Sequence, residues 1–509
     1  MEKKLTTTPQ DHTTPPLRGT PPQEGNAQAK SSLKSPPATG DKVSKFPSAG
    51  GVAGAARRGG LVPKLRFPEF RDNDEWQTKP LSSLAERCNE RNTNSKHTRV
   101  LTNSAERGVL DQRDYFEKDI ANQGNLEGYY VVEKGDYVYN PRISSSAPVG
   151  PISKNSIGTG VMSPLYTIFR FKGFDNRFYE QYFKSTHWHA YMRHNSSTGA
   201  RHDRMAITTD DFMRLPLPAP TVKEQQKIAE CLTSLDAVIT AEAQKLDALK
   251  AHKKGLMQGL FPDHPAPTGH PSAGGEVSEF PSSGGVAGAA RRGGLIPKLR
   301  FPEFRDSGEW EEKQIGDLNP FVTSGSRGWA AYYSDAGSLF VRITNLSRES
   351  IILDLTDSKF VKLPATASEG VRTQLKMGDL LISITADIGI IGYIDTSIPS
   401  PAYINQHIAL VRFEAPNVLS KFVAYFLAGE NSQRLFRAST DNGTKAGMNL
   451  TAIQNLNFLL PSFSEQQRIA DCLTSLDELI AAQAEKIEAL KTQKKGLMQG
   501  LFPQQGSSE

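Results

Sequence analysis

The chain has 509 residues, which is too many for a single hydrophobic core, so two domains and their connectors are expected. Its net charge of +5 does not indicate a basic surface throughout, because residues 1–60 alone hold nine Lys and Arg against four Asp and Glu. No apolar run reaches the ~18 residues of a membrane span, and three cysteines give no disulfide framework. Composition therefore argues against membrane and disulfide-rich secreted proteins and predicts a cytoplasmic one.

Two segments of the sequence occur twice. Residues 46–72 recur with two substitutions as 280–306, and residues 224–262 recur as 465–503 with mostly conservative changes. The long stretches that lie between these repeats barely resemble each other. A chain with one active site has no use for this layout, whereas a chain that reads two different targets at a fixed separation does.

The repeats divide the chain into seven segments. Residues 1–60 and 263–294 are rich in Pro, Ser, Gly and Ala, a composition that cannot bury enough apolar surface to fold. The divergent stretches predict two heads that share a scaffold and differ in their loops. In chain order we predict a disordered tail (1–60), head 1 (61–220), a first conserved spacer helix (221–262), a flexible linker (263–294), head 2 (295–461), a second conserved spacer helix (462–503) and a short tail (504–509).

Each spacer segment predicts one long helix. Thr221-x-x-Glu224 and Ser462-x-x-Glu465 are capping boxes that mark the two starts. Apolar residues then follow at alternating spacings of four and three, which is the pattern of a coiled-coil seam. We predict that the helices pair through these interface residues: Ile228, Leu232, Leu235, Ile239, Leu246, Leu249, Ile469, Leu473, Leu476, Ile480, Ile487 and Leu490.

Two further features of the helices bear on how they pair and where they end. Glu242 and Gln483 interrupt the seam at equivalent positions and are candidates for setting its register. The Lys-Lys-Gly sequences at 253–255 and 494–496 predict that each helix ends near its glycine. The alternative to pairing is that each helix packs on its own head, but matching seams in two helices favour pairing.

The heads predict mixed α/β domains rich in short strands. Lys134 to Tyr139 and Lys376 to Ile382 each indicate a turn that leads into a buried strand. Residues 167–171 and 408–413 indicate another strand at nearly the same later position in each head. The predicted fold class is therefore mixed α+β, with two similar domains separated by two long helices.

The sequence carries no recognisable catalytic or metal site. Loops that bind nucleotides or dinucleotides are missing, and Tyr139-Asn-Pro-Arg142 lacks the second Pro and the aromatic residue of the amino-methyltransferase motif. His187, His189, His194 and His202 cluster without the Cys or acidic partners of a zinc site. We therefore predict no catalytic residue and no metal.

Polar loops rich in hydrogen-bond donors are the remaining candidates for function. Residues 196–204 combine small residues that allow close approach with Arg and His side chains that can donate to phosphates or guanine edges. Any one such loop is more often simply solvated, and the duplicated frame is what gives them weight. The predicted DNA contacts are Arg142, Ser144, Arg201, His202 and Arg204 in head 1 and Ser326, Arg327, Trp329, Arg342, Asn345, Gln406 and Lys445 in head 2.

The repeated frame resembles the specificity subunit of Type I restriction-modification systems. The resemblance is carried by the helix entries Glu224-Gln-Gln and Glu465-Gln-Gln, and by Lys-Lys-Gly-Leu-Met-Gln-Gly-Leu-Phe-Pro at 253–262 and 494–503. Gly378-Asp379 also matches, and about 61–503 is covered. The tail at 1–60 departs from the pattern.

The resemblance implies a non-catalytic subunit whose two target-recognition domains each read half of a bipartite DNA site. Its implied partners are double-stranded DNA, two modification (methyltransferase) subunits and restriction/translocase subunits, in phage defence. S-adenosylmethionine, ATP and Mg are expected on those partner subunits and no cofactor on this chain. Placing the heads at opposite ends requires antiparallel helices and a pseudo-two-fold axis. A fused nuclease or methyltransferase and a coiled-coil scaffold that binds only proteins are the rival hypotheses.

Overall fold

A computed structural model of the chain describes residues 61–115, 126–173, 175–198, 203–262, 295–364, 368–440 and 447–503. These residues all belong to one compact unit, Pro47–Glu509. The segments predicted as tails and linker, 1–60, 263–294 and 504–509, lie outside the described residues. No helix in the described ranges is both long enough and apolar enough to cross a bilayer.

Head 1 is built from short strands and short helices and is followed by a long helix, α6 (Val222–Leu260). Its strands are β1 (Gln77–Pro80), β2 (Ala85–Cys88), β3 (Leu101–Ser104), β4 (Gly108–Asp111), β5 (Tyr130–Val132), β6 (Tyr137–Tyr139), β7 (Ile152–Lys154), β8 (Gly160–Met162), β9 (Thr167–Phe171), β10 (Ser197–Thr198), β11 (Met205–Ala206) and β12 (Pro216–Ala219). Its helices are α1 (Leu81–Leu84), α2 (Gln112–Tyr115), α3 (Arg177–Phe183), α4 (His189–His194) and α5 (Thr209–Met213).

Head 2 is also built from short strands and short helices and is followed by the second long helix, α11 (Phe463–Leu501). Its strands are β13 (Glu311–Gln314), β14 (Phe321–Ser324), β15 (Tyr333–Ser334), β16 (Ser338–Val341), β17 (Phe360–Val361), β18 (Leu380–Ser383), β19 (Ile391–Tyr393), β20 (Ala402–Ile404), β21 (Ile408–Arg412) and β22 (Asn457–Leu460). Its helices are α7 (Ser368–Thr373), α8 (Ser420–Ala428), α9 (Glu430–Thr440) and α10 (Leu450–Gln454).

The two heads share one sheet topology. A four-stranded sheet has the order β2-β9-β6-β7 in head 1 and β14-β21-β18-β19 in head 2, with antiparallel neighbours throughout. The first and last strands pair antiparallel in both heads, β1 with β12 and β13 with β22. The remaining small sheets differ, since β16 pairs parallel with β20 whereas β5 pairs antiparallel with β8. The predicted mixed fold and its common scaffold are confirmed.

A buried aspartate anchors the central strand of each head. Asp136 accepts hydrogen bonds from Arg170 Nε (2.6 Å) and from the backbone N–H of Glu133 (2.8 Å). Asp379 accepts from Arg412 Nε (2.7 Å) and from the backbone N–H at residue 376 (2.7 Å). The arginine sits on the neighbouring strand, so these charge-assisted bonds tie the turn to the sheet.

The helices α6 and α11 have 39 residues each and run antiparallel. Lys253, in the second half of α6, forms an ion pair with Asp477, in the first half of α11. Lys494, in the second half of α11, forms an ion pair with Asp236, in the first half of α6. Because Asp477 and Lys494 are the repeat equivalents of Asp236 and Lys253, a pseudo-two-fold axis relates the two ion pairs. The predicted antiparallel arrangement is confirmed.

The predicted seam residues divide between two kinds of packing. Ile228 and Leu232 are buried in the core of head 1, and Ile469 and Leu473 are buried in the core of head 2. Towards the middle of the pair the seam is less deeply buried, with Ile487 5% exposed and others half-buried: Ile239, Leu246, Leu249, Ile480 and Leu490. The helices pair as predicted, but the first turns of each helix also pack on the head that precedes it.

The far end of each helix enters the core of the other head. Leu260 and Phe261 of the first repeat are buried in head 2, and Leu501 and Phe502 of the second are buried in head 1. This packing explains why the prediction that each helix ends near Gly255 or its equivalent was wrong. The helices continue past glycine because the apolar turn that follows is held by the opposite head.

The segment at the start of each head, around Leu65 and Arg66 in head 1 and around Leu299 and Arg300 in head 2, contacts both long helices. We call each of these segments an arm. Leu65 N donates to Gly500 O (2.8 Å), and Leu299 N donates to Gly259 O (2.8 Å). At Gly500 a Cβ would lie 2.5 Å from Leu65 Cδ1, so the close approach requires glycine there. Each arm therefore contacts the end of the helix that comes from the other repeat.

The same arms use the glutamates of the predicted capping boxes. Thr221 Oγ1 accepts the N–H of Glu224 (3.4 Å), as a cap does, but the Glu224 carboxylate binds Arg66 Nε (2.8 Å) and Nη2 (2.9 Å). Glu465 binds Arg300 in the same way, with both distances 2.8 Å. The buried carboxylate therefore joins arm and helix instead of closing the box.

Removing the aspartates of the reciprocal ion pairs should destabilise the chain unequally. Asp477→Ala leaves Lys253, whose side chain is 8% exposed, without its charge partner, and we expect a loss of about 3 kcal/mol in the free energy of unfolding. Asp236→Ala should cost less, because the Asp236 side chain is 34% exposed. Urea unfolding measures both. Asp247→Ala on the exposed face of α6 is the matched control, and equal losses from all three variants would contradict this account.

Candidate nucleic-acid interface

In head 1 two loops meet at one edge of the central sheet. The β6–β7 connection contacts the segment before α5, where Ile143 N donates to Asp203 O (3.0 Å) and Met205 N donates to Pro141 O (2.9 Å). The connection therefore lies beside the loop that the sequence singled out. We call this pair, residues 140–151 with 203–206, loop pair 1.

Head 2 places equivalent loops together. The β18–β19 connection contacts the segment before α10, where Met448 N donates to Ile384 O (2.9 Å) and Thr385 bridges to Gly447. Ile384 N also donates to His407 O (2.9 Å), which adds the turn before β21. We call these three segments, residues 384–390, 405–407 and 447–449, loop pair 2, because they are the counterpart of loop pair 1. The two heads thus carry corresponding loops of different sequence on one scaffold.

Loop pair 1 collects the described head 1 candidates. The Arg142 side chain is 60% exposed, and its Nε lies 3.9 Å from Asp203 Oδ2. Arg204 Nε lies 3.8 Å from the same oxygen. Ser144 has a structural part, because its Oγ accepts the N–H of Ala147 (3.1 Å) and shapes the turn. Two guanidinium groups therefore share one carboxylate at a partly exposed surface.

Three predicted contacts lie outside the described residues. These are Arg201 and His202 in head 1 and Lys445 in head 2. The first described residues that follow them, Asp203 and Gly447, belong to loop pairs 1 and 2. Their predicted role stays a prediction.

In head 2 the structure brings Ser326 and Gln406 to neighbouring turns. A Cβ at Gly325 would lie 2.2 Å from the carbonyl of Asn405, so glycine permits the two turns to touch. Ser326 Oγ accepts a hydrogen bond from Arg372 Nη2 (2.7 Å). Arg327, the next residue, is exposed. This edge therefore offers an exposed guanidinium beside ordered hydroxyl and amide groups.

Arg342 belongs to the same edge but is held by an acidic partner. It follows β16, and Asn405 N donates to the carbonyl of Val341 (3.2 Å). Arg342 Nη2 donates to Asp357 Oδ2 (2.8 Å), and this hydrogen bond lowers the pKa of the Asp357 carboxyl. The Arg342 side chain is only 19% exposed, so contact with a ligand would require it to leave Asp357.

The structure contradicts a surface role for two predicted residues. Trp329 is 3% exposed, and its ring packs against Phe340 (4.8 Å between centroids) in a small aromatic core. Asn345 is 1% exposed, where its Oδ1 accepts from Arg342 N (2.9 Å) and its Nδ2 donates to the carbonyl of Asp354 (2.8 Å). Both residues shape the loops that carry their neighbours and are not available to a ligand.

Positive φ angles mark the β6–β7 and β18–β19 connections. Ala386 has φ +62°, a region that L residues other than glycine seldom occupy and that costs about 1 kcal/mol or more. Gly150 has φ +79°, and a Cβ there would lie 2.1 Å from the carbonyl of Asn140. Arg348 supports the strained turn by donating to Ile388 O (2.9 Å) and pairing with Asp387. The loops are therefore held in defined shapes.

The clustered histidines do not form a metal site within the described residues, where no group of three or more His, Cys, Asp or Glu is arranged around a common point. Burial lowers the pKa of His187, and burial and the charge of Arg193 lower the pKa of His189 to about 4. These two imidazoles are therefore neutral near pH 7. His202, another member of the cluster, lies outside the described residues.

Sequence reasoning missed the side chains that hold these loops. Arg372, from α7, donates to the carbonyl of Ser324 (2.8 Å) as well as to Ser326. Asp203 is the shared partner of the head 1 arginines, and Arg348 fixes the β18–β19 turn. None of them belongs to a repeat or a motif, because their roles arise only when distant segments meet.

Solved structures similar to this chain include three from type I systems. One chain, from a type I R-M system solved for its complex assembly and conformational transition, has 16% identity and a TM-score of 0.48, covering 84% of this chain and 97% of its own. The S subunit from M. genitalium has 13% identity, a TM-score of 0.48 and coverages of 88% and 100%. The HsdS subunit from Thermoanaerobacter tengcongensis has 14% identity, a TM-score of 0.38 and coverages of 85% and 99%.

Two relatives come from Methanocaldococcus jannaschii. The type I restriction enzyme MjaVIII specificity subunit is 23% identical over 298 residues, which are 56% of this chain and 61% of the relative. The putative type I restriction enzyme MjaX specificity subunit is 25% identical over 198 residues, 38% of this chain and 45% of the relative. The chain therefore matches about half the length of these relatives.

A family model described as the Type I restriction modification DNA specificity domain matches this chain twice, at residues 73–251 and 308–492. The matches span both heads and most of both long helices. The chain belongs to the Type I restriction-modification DNA specificity family.

Proposed function

We propose that this chain is the DNA sequence-recognition subunit of a Type I restriction-modification complex. Each head reads one half of a bipartite site, and the paired helices set the gap between the halves. The observation that carries this proposal is the reciprocal pairing of Lys253 with Asp477 and of Lys494 with Asp236. It relates two similar heads by a pseudo-two-fold axis at a fixed separation.

Loop pairs 1 and 2 are the proposed reading surfaces. They lie at corresponding positions on the equivalent sheets of the two heads. Their sequences differ, as recognition of two different targets requires. Exposed arginines such as Arg142 and Arg327 suit guanine edges or phosphates, and serine and glutamine side chains suit either class of contact. The shape of these loops and their hydrogen-bond donors determine which DNA sequence is recognised, with little contribution from excess positive charge.

Catalysis is assigned to partner subunits. The proposed partners are two modification subunits and restriction/translocase subunits in the cytoplasm, with S-adenosylmethionine, ATP and Mg bound by those partners. Two near-equivalent helices offer two near-equivalent docking surfaces, which favours two copies of the modification subunit. The repeated exits Lys253–Pro262 and Lys494–Pro503 support this symmetry.

The purified chain alone should neither methylate nor cleave DNA and should bind it weakly. Outside residues 1–60 the acidic and basic residues balance, so the phosphate contribution to affinity is small. Adding the modification subunit should restore tight, specific binding in a gel-shift assay. Methyl transfer by the chain alone would favour a fused enzyme, and failure of the assembled complex to bind any DNA would favour a protein-only scaffold.

Substitutions in loop pair 1 and in the turn beside loop pair 2 should damage different half-sites. Arg142→Ala should weaken recognition of one half-site and Arg327→Ala that of the other, by about 1–3 kcal/mol for a bidentate base contact. Binding of the assembled complex to DNA with either half-site scrambled separates the two effects. Arg214→Ala, an exposed arginine paired with Asp211 on α5, is the matched control.

A uniform loss on every DNA would demote Arg142 and Arg327 to phosphate contacts. Loss of the same half-site by both variants would contradict the assignment of one half-site to each head. Unfolding curves of the variants exclude a general loss of structure as the cause.

Lengthening both helices should lengthen the unread gap. One heptad inserted after Lys245 and one after Lys486 keeps the seam and moves the heads apart by about 10 Å, or roughly three base pairs. The contacts at both helix ends are preserved, so the half-sites should stay the same. Sequencing of methylated sites reads out the gap, and an unchanged gap would mean that the helices do not set it.

A further inference from the structure

Glu242 and Gln483 meet where α6 and α11 cross the pseudo-two-fold axis. Gln483 Nε2 donates to Glu242 Oε2 (2.7 Å) and to the Glu242 carbonyl (2.9 Å), and Lys486 Nζ donates to Glu242 Oε1 (2.5 Å). The two residues occupy the same position in the two repeats. The position therefore faces its own equivalent, and the natural chain places a carboxylate there on one side and an amide on the other.

The reciprocal ion pairs and the exit sequences at the ends of the helices do not distinguish one repeat from the other. Each repeat carries both an aspartate and a lysine for the reciprocal ion pairs, as Asp236 and Lys253 or as Asp477 and Lys494. The exits that enter the opposite head have identical sequences from the first Lys to the final Pro. A helix paired with the same helix of a second copy would keep these contacts.

Between the helices themselves the centre is what changes when identical repeats pair, beside contacts with the heads such as that of Lys250 with Glu349. Two copies of α6 would bring two like-charged Glu242 carboxylates together, each with Lys245 of the other copy in the place of Lys486, and would lose the hydrogen bond from the amide. Two copies of α11 would bring two Gln483 amides together and leave Lys486 without its carboxylate. Both identical pairings lose the hydrogen bond from an amide to a carboxylate that the mixed pairing makes.

We propose that the Glu242–Gln483 contact is a pairing-specificity device that selects two different repeats over two identical ones. It directs α6 to α11 in preference to the α6 of a second copy, although the two helices are near-copies in sequence. Every assembled unit then contains one head of each kind. This inference concerns helix pairing alone and does not depend on the proposed function.

The intact chain can present every combination at the centre. Gln483→Glu creates a Glu–Glu centre, Glu242→Gln creates a Gln–Gln centre, and the double exchange Glu242→Gln/Gln483→Glu recreates the mixed centre in reverse. In the double exchange the new carboxylate has Lys245, the repeat equivalent of Lys486, beside it. We expect a lower Tm for each single variant and a Tm near wild type for the double exchange.

The Glu–Glu centre should also depend on pH. The hydrogen bond from Lys486, followed by that from Gln483, lowers the pKa of Glu242, so the natural contact weakens as pH falls through that pKa. In Gln483→Glu the paired carboxylates raise one pKa, which places the penalty at high pH. The Tm difference between this variant and wild type should therefore be larger at pH 8 than near pH 4.

Gln244→Glu is the matched control, since Gln244 is exposed on the same helix and the substitution adds the same charge. Its Tm should stay at the wild-type value. The proposal is overturned if the Gln–Gln and Glu–Glu centres are as stable as the mixed one. A double exchange that loses as much Tm as the two single variants added together would overturn it too.

Discussion

The architecture depends on two aspartates, the buried Asp477 and the half-buried Asp236, that each join three elements. Asp477 receives Lys253 from the other helix and the hydroxyl of Tyr425 from head 2 (2.7 Å). Asp236 receives Lys494 from the other helix and Gln181 Nε2 from head 1 (3.1 Å). Each aspartate therefore links the pairing of the helices to the docking of one head, and this arrangement occurs twice in the chain. A shift of either head along the helices would break one of these contacts, at the greater cost where Lys253 and Asp477 are both buried.

These contacts are part of an arrangement in which each long helix is held at both of its ends. Each long helix begins in one head and ends in the core of the other, so the heads are separated by helices of about 58 Å. The arms close the arrangement, since Arg66 binds Glu224 while Leu65 contacts the last turn of α11. The scaffold therefore holds the heads at a set distance and leaves their loop edges free to diverge.

Periodicity and repetition were sufficient to predict the scaffold. The seam spacing gives the helices, and the order head, helix, head, helix with heads at opposite ends gives their antiparallel direction. Local patterns could not predict burial that depends on distant segments. Trp329 and Asn345 resemble loop residues in sequence but lie inside the head, and Gly255 resembles a helix end until the opposite head holds the next turn. The side chains that hold the loops, such as Arg372, belong to no motif.

The central claim is that two different heads read two half-sites across a gap fixed by the helices. Mapping every methylated position in DNA modified by the complex assembled with its modification subunits tests it most directly. The account predicts two short sequences in inverted orientation, separated by a constant number of unread bases. A single uninterrupted sequence, or half-sites at variable spacing, would contradict it.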